Sequence, residues 1–136
     1  MSVRIIIKDI DKNIICGFLT YLINKDEPNI GTINYISVNQ DQRGKGIGTK
    51  LLWTLYDYIK MDKKIKYVIW DDCSDYYRQK DNIYLKIGAK YINKNGPEMI
   101  WKINYKTVRE KRKKYSQNIQ NIQKINDKYD IIINYI

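Results

Sequence analysis

Val38-Asn39-Gln40-Asp41-Gln42-Arg43-Gly44-Lys45-Gly46-Ile47-Gly48-Thr49-Lys50-Leu51-Leu52 decides how this chain is read. Three glycines fall within five residues, and an apolar set follows at Ile47, Leu51, Leu52, Leu55 and Ile59. That spacing is one stripe of an amphipathic helix and predicts a helix running to about Met61. Before the loop, Ile30 to Val38 reads as a strand, though its alternation is imperfect. A helix N-terminus presents unpaired amides and a partial positive charge, and glycines let an anion approach the backbone closely. Strand, glycine loop and helix in that order suit an anionic ligand.

Working outward, Arg4 to Lys8 is a short β-branched run, Asp11-Lys12-Asn13 a turn, and Ile14 to Lys25 a longer apolar stretch. Paired antiparallel strands are the natural reading. Downstream, Lys66 to Trp70 has strand length and is closed by Asp71-Asp72. Ser74 is placed to cap a second helix running to Ile87 and stopped by Gly88. Further strands are expected around residues 90–93 and 99–104, separated by Asn95-Gly96-Pro97. From Tyr105 the chain reads as helix again, with Val108, Tyr115, Ile119, Ile122, Ile125 and Tyr129 on one stripe.

The chain has 136 residues and a mass of 16.3 kDa, room for one domain with a short appendage. Hydrophobic residues at 43% and charged residues at 29% argue against global disorder. No apolar run approaches the ~20 residues of a membrane span, and the N-terminus does not read as a signal peptide. A cytoplasmic protein without membrane contact is expected. There is no histidine, so imidazole bases, histidine triads and most zinc sites are excluded, and no metal is expected. Two cysteines, Cys16 and Cys73, make no disulfide framework.

The net charge is +10. Ile, Lys, Asn and Tyr supply 72 of the 136 residues, the signature of A/T-rich codons, so part of that charge reflects base composition. The charge is densest in the tail, where Arg109, Lys111, Arg112, Lys113 and Lys114 are nearly contiguous. A solvated helix face is one reading of this run, and contact with a polyanion such as nucleic acid is the other.

Three loops answer to the glycine cluster. A P-loop needs four residues between its first glycine and Gly-Lys-Ser/Thr, and the order here is wrong. A dinucleotide fingerprint needs G-x-G-x-x-G in a βαβ unit, whereas this is G-x-G-x-G after an antiparallel run. The third is R/Q-x-x-G-x-G/A, which Arg43 to Gly48 matches without a gap. Val38 to Leu52 thereby resembles the signature segment of the GNAT superfamily of acetyl-CoA-dependent N-acetyltransferases. Ile83-Tyr84-Leu85-Lys86-Ile87-Gly88-Ala89 resembles that family's helix ending in Y-x-x-x-G-F, with Ala89 in place of phenylalanine. The resemblance covers about residues 1–104, an N-acetyltransferase domain. Residues 105–136 lie outside it as a basic amphipathic helical extension. The fold implied is α/β (α+β), a mixed, mostly antiparallel sheet flanked by helices, with an additional C-terminal helix.

The resemblance implies roles residue by residue. Amides from Arg43, Gly44, Lys45, Gly46, Ile47, Gly48 and Thr49 hold the pyrophosphate of acetyl-CoA, and Arg43 and Lys45 add positive charge. Ile36 and Val38 pair through their backbone with the pantetheine arm. Tyr84 serves as general acid for the departing thiolate. Many relatives carry a glutamate near the position of Thr32 or Asn34, and this chain has no carboxylate between Glu27 and Asp41. Asp71 and Asp72 are then the candidates for a weak base, against a plain capping role. The acceptor implied is a primary amine, and its class is not written in the motifs. A net charge of +10 does not favour a basic protein tail by steering, so a small amine is preferred to a protein lysine. The alternative is a module of the same fold that binds nucleic acid or a partner through its basic tail. The apolar stripe of the tail suggests a homodimer packed through the C-terminal helix.

Overall fold

The computed structural model describes residues 2–62, 64–117 and 128–136, the side chains of 115–117 excepted. Among the described residues seven strands and three helices follow one another. They are β1 (Ser2–Asp9), β2 (Ile14–Ile23), β3 (Ile30–Val38), α1 (Ile47–Ile59), β4 (Tyr67–Asp71), α2 (Ile83–Ile87), β5 (Lys90–Tyr91), β6 (Glu98–Lys102), α3 (Tyr105–Gln117) and β7 (Tyr129–Tyr135). The strands form one sheet in the order β5-β6-β4-β3-β2-β1-β7. Neighbours are antiparallel throughout except β3 and β4, which run parallel. This is the mixed, mostly antiparallel sheet flanked by helices that the sequence predicts.

The apolar stripe of α1 makes the core. Ile47, Leu51, Leu52, Leu55 and Ile59 are all buried against β1, β2 and β3, whose inward residues Val3, Ile5, Ile7, Leu19 and Tyr21 are buried too. Each such side chain stabilises the fold by about 1.5–3 kcal/mol, before the entropy of ordering it is subtracted. A second cluster under α1 and α3 is aromatic: Trp101 packs edge-on against Trp53 and Trp70, with Tyr56 alongside.

Two features of β3 shape the functional end. Thr20 pairs with Tyr35 and Tyr21 with Ile33, so Asn34 is an extra residue, a β-bulge that bends the strand. The parallel pairing of β3 with β4 covers only Ile30–Thr32 against Tyr67–Ile69. Beyond it the strands part, and among the described residues the β4-facing side of β3 from Ile33 to Val38 has no strand neighbour.

Two helix expectations are corrected. The second helix does not start at Ser74. The Ser74 hydroxyl donates to Asp72 Oδ1 (2.5 Å) instead of capping a helix, and Arg78 is left-handed at φ 60°. The helix begins at Ile83, capped by Asn82, whose Oδ1 accepts the Tyr84 N–H at 2.9 Å. Gly88 ends it at φ 109°, as expected.

The tail, expected as helix through Tyr129 and beyond, is helical over Tyr105–Gln117, and Tyr129–Tyr135 is a strand along β1. The physical reason is local: three consecutive isoleucines between tyrosines favour the extended chain, and β1 offers an isoleucine-rich edge in register. Val108 is buried as the stripe required. The Tyr115 side chain, Ile119, Ile122 and Ile125 lie outside the described residues.

Candidate active site

Leaving β3, the chain makes a single 3-10 turn over Gln40–Gln42 and then the glycine loop. Gly44 and Gly46 have φ of 80° and 82°, the left-handed region in which a side chain is strained. Above both there is open space: a Cβ at either would meet nothing within 4 Å. Gly46 is the N-cap of α1, no side chain caps this end, and its first turn carries no acidic residue. The positive end of the helix dipole is therefore not quenched from within. Arg43 reaches back to the Val38 carbonyl (3.4 Å) and pairs with Asp75 (2.7 Å), and Lys45 donates to the buried Gln42 side chain (3.3 Å). The Arg43 pair is exposed on both sides and contributes at most about 1 kcal/mol. Both cations stand at the mouth of the loop.

Gly48 is needed for another reason. A Cβ there would stand 2.8 Å from the Ile83 side chain, so the first turn of α2 packs directly on the start of α1. That contact ties the loop to Tyr84. Tyr84 is 5% exposed, with its ring 5.3 Å from that of Trp70 in an edge-on arrangement. Burial raises its hydroxyl well above the ordinary tyrosine range, and the nearby Asp72, Cys73 and Tyr91 push the same way.

Asp71 and Asp72 separate sharply. Asp72 is 3% exposed and accepts the Ser74 N–H (2.9 Å), the Ser74 hydroxyl, Asn82 Nδ2 (2.6 Å) and the Tyr91 hydroxyl (2.6 Å). Burial pushes its carboxyl up, but the bonds from Ser74, Tyr91 and Asn82 outweigh it and hold it below 3.8. A carboxylate so fully bonded orders the structure. Asp71 is exposed at the end of β4, with Glu98 as its register partner on β6.

Between the splayed ends of β3 and β4 lies a cleft of about 390 Å³. Thr32 to Ile36 form one wall, and Ile69, Trp70, Asp71 and Cys73 the other, with Ile92, Glu98 and Met99 closing it. Its ionisable lining among the described residues is Asp71, Glu98, Cys73 and Tyr35, with no lysine or arginine, on a chain of net charge +10. The structure thus brings Ile36, Asp71 and Trp70 to one opening. Tyr84 packs on Trp70 without lining the cleft, and Val38 and the glycine loop follow Ile36 along the chain outside its lining. Asp72 is set apart in its own network. Glu98 escaped sequence reasoning because only the antiparallel β4–β6 register places it beside Asp71.

Residues 2–88 match the acetyltransferase (GNAT) family. The chain belongs to that family. Among solved structures, the spermidine/spermine N-acetyltransferase SpeG from Vibrio cholerae aligns with a TM-score of 0.58. It is 14% identical, over 87% of this chain and 72% of that one. An aminoglycoside acetyltransferase in complex with coenzyme A aligns at 0.54, with 18% identity over 74% and 65%. An acetyltransferase from Bacillus cereus gives 0.54, with 18% identity over 74% and 69%. This GNAT chain spans 62% of the length of two further structures of the fold, from Exiguobacterium and Desulfovibrio desulfuricans. No curated protein sequence matches it. Among the described residues no helix is long and apolar enough to cross a membrane.

Proposed function

We propose that this GNAT protein transfers acetyl from acetyl-CoA to the primary amine of a small cationic molecule, by direct attack of the amine. The single observation that carries the reading is the divergence of β3 from β4: it leaves one edge of β3 without a strand neighbour and opens a cleft beside it. The uncapped start of α1 and the open space over Gly44 and Gly46 fit a pyrophosphate at the end of that edge.

In this reading the amides from Arg43 to Thr49 hold the pyrophosphate, assisted by the Arg43 and Lys45 side chains. The Ile36 and Val38 backbone pairs with the pantetheine arm as though it were a strand. Acetyl-CoA supplies the activated acyl group. Asp71, exposed at the cleft, takes the proton of the incoming ammonium directly or through water, and Asp72 does not act as a base. Tyr84 stands toward the departing sulfur. A thiol of pKa ~8.5 is a stronger acid than a tyrosine raised above its usual range, so full proton transfer is uphill. Tyr84 instead donates a hydrogen bond as charge develops on sulfur. Asp71 and Glu98 attract a cationic acceptor against the positive field of the whole chain. Part of the positive charge on α3 is committed within the fold, since Arg112 bonds Asp57 through both terminal nitrogens. That argues against α3 as a dedicated nucleic-acid surface. Two free thiols, Cys16 and Cys73, suit the reducing cytoplasm.

The test is mass spectrometry of a panel of alkyl monoamines, diamines, polyamines and lysine peptides incubated with protein and acetyl-CoA. An N-acetylated small amine is expected, with diamines ahead of neutral-tailed monoamines. Acetylated peptide with no small-amine product would overturn the acceptor assignment, and no product from any member would overturn the activity.

A further inference from the structure

β7 is the outermost strand of the sheet, and among the described residues no strand pairs with its outer edge. Edges are normally defended by lysine, proline, a bulge or short length. β7 has none of these: it runs seven residues, pairs with β1 without a register shift, and carries Asp130 as its one charge. Tyr129, Ile131, Ile133 and Tyr135 share a sheet face with the buried Asp9, Ile7, Ile5 and Val3 of β1. Yet Ile131 is 40% exposed, Ile133 41% and Tyr135 68%. The core face of the sheet therefore continues past its cover to an open edge.

The sequence of this edge names what fits it. Tyr129-Asp130-Ile131-Ile132-Ile133-Asn134-Tyr135 reads the same from either end, except that Asp130 answers to Asn134. We propose that β7 pairs antiparallel with β7 of a second copy of this chain, across a twofold axis at Ile132, joining two seven-stranded sheets. In that register Tyr129 faces the partner's Tyr135, Ile131 its Ile133, and Ile132 its Ile132. Asp130 faces the partner's Asn134, a carboxylate opposite an amide that can donate to it, so no like charges meet. Opposed pairs of aromatic and β-branched residues are the favourable ones across strands. Charge points the same way. Tyr129–Ile136 contains no lysine or arginine in a chain that has 25, so two copies of net charge +10 meet through a strand that carries no cation of its own. On the neighbouring β1, Lys8 and Arg4 stand opposite Asp130 and Asn134. Lys128, just outside, is turned to Asp9 (3.8 Å). A twofold axis makes the interface isologous and closed, so the contact uses the β7 edge of both copies and does not propagate through it. This places the twofold contact on the terminal strand, and it holds whatever the site catalyses.

Sedimentation equilibrium of the full chain decides it. Wild type is expected to dimerise reversibly to twice 16.3 kDa. Asn134→Asp sets a carboxylate against the partner's Asp130 at both ends of the pairing and should weaken the dimer by about tenfold or more. Adding Asp130→Asn to it restores carboxylate opposite amide and should restore the affinity, and Asp130→Asn alone should leave a dimer. A wild-type protein monomeric up to about 100 µM would overturn the proposal. So would a dimer indifferent to Asn134→Asp, or a double variant as weak as the single one.

Discussion

Asn82 Nδ2 donates to the buried Asp72 carboxylate at 2.6 Å while its Oδ1 accepts the backbone N–H of Tyr84 at 2.9 Å. One side chain thus joins the end of β4 to the start of α2 and fixes the helix that carries Tyr84. The Asn82 amide also donates to the Tyr76 carbonyl, so the turns between β4 and α2 hang on the same group. Removing it strips the cap, worth about 1 kcal/mol, and leaves a buried carboxylate short of a donor, about 1–3 kcal/mol more. Asn82→Ala is expected to lower the denaturation midpoint accordingly. A change below about 0.5 kcal/mol, the scale of an ordinary surface substitution, would show the network to be incidental.

The same network sets a pH dependence. Asp72 is held below 3.8 in the folded protein, so its contribution is complete above that value and is lost as pH falls through the lower folded value. Melting temperature should fall on acidification below about pH 4. In Asp72→Asn the protein should be less stable at neutral pH and its melting temperature should fall less steeply in acid. Parallel curves for the two proteins would remove Asp72 as the source.

Tyr84→Phe keeps the ring against Trp70 and removes only the donor. A hydrogen bond to a charged group contributes about 1.5–3 kcal/mol, which corresponds to a fall in turnover of about 10- to 100-fold. KM for acetyl-CoA should change far less, because the bond strengthens as the thiolate forms. Steady-state kinetics from pH 6 to 9 on wild type and variant make the comparison, and equal turnover with chemistry rate-limiting would exclude the role.

At Gly31, a Cβ would stand 2.1 Å from the Tyr21 hydroxyl oxygen and 2.3 Å from its ring. Tyr21 is fully buried and cannot swing away, so Gly31→Ala is expected to cost about 1–3 kcal/mol by overpacking. Gly31 lies in the short stretch where β3 pairs with β4, so the variant should also disturb the root of the cleft. Urea denaturation checks the first effect and acetyl-CoA titration the second.

Much of this was legible from residue order. The loop from Arg43 to Gly48 and the α1 stripe are local patterns, and both stand where periodicity and glycine spacing put them. Gly88 likewise announces its helix end. What could not be read was settled by partners distant in sequence. Ser74 looks like a cap until the folded chain offers its hydroxyl to Asp72, and Arg78 turns left-handed because Tyr91, Asn93 and Gly96 hold it there. Asp71 and Asp72 are adjacent and chemically identical, and only burial separates an exposed carboxylate at the cleft from a fully bonded one. Tyr129 fits a helical stripe by spacing, yet the isoleucines after it become a strand once β1 provides an edge.

The central claim is that the glycine loop and the opened edge of β3 hold acetyl-CoA for transfer. Calorimetric titration of wild type and Gly46→Asp with acetyl-CoA tests it most directly, with circular dichroism to show that the variant is folded. Wild type should bind one acetyl-CoA per chain, and Gly46→Asp should bind at least about tenfold more weakly, since its carboxylate meets the pyrophosphate at the positive end of α1. No binding by wild type, or equal affinity in a folded Gly46→Asp, would contradict the account.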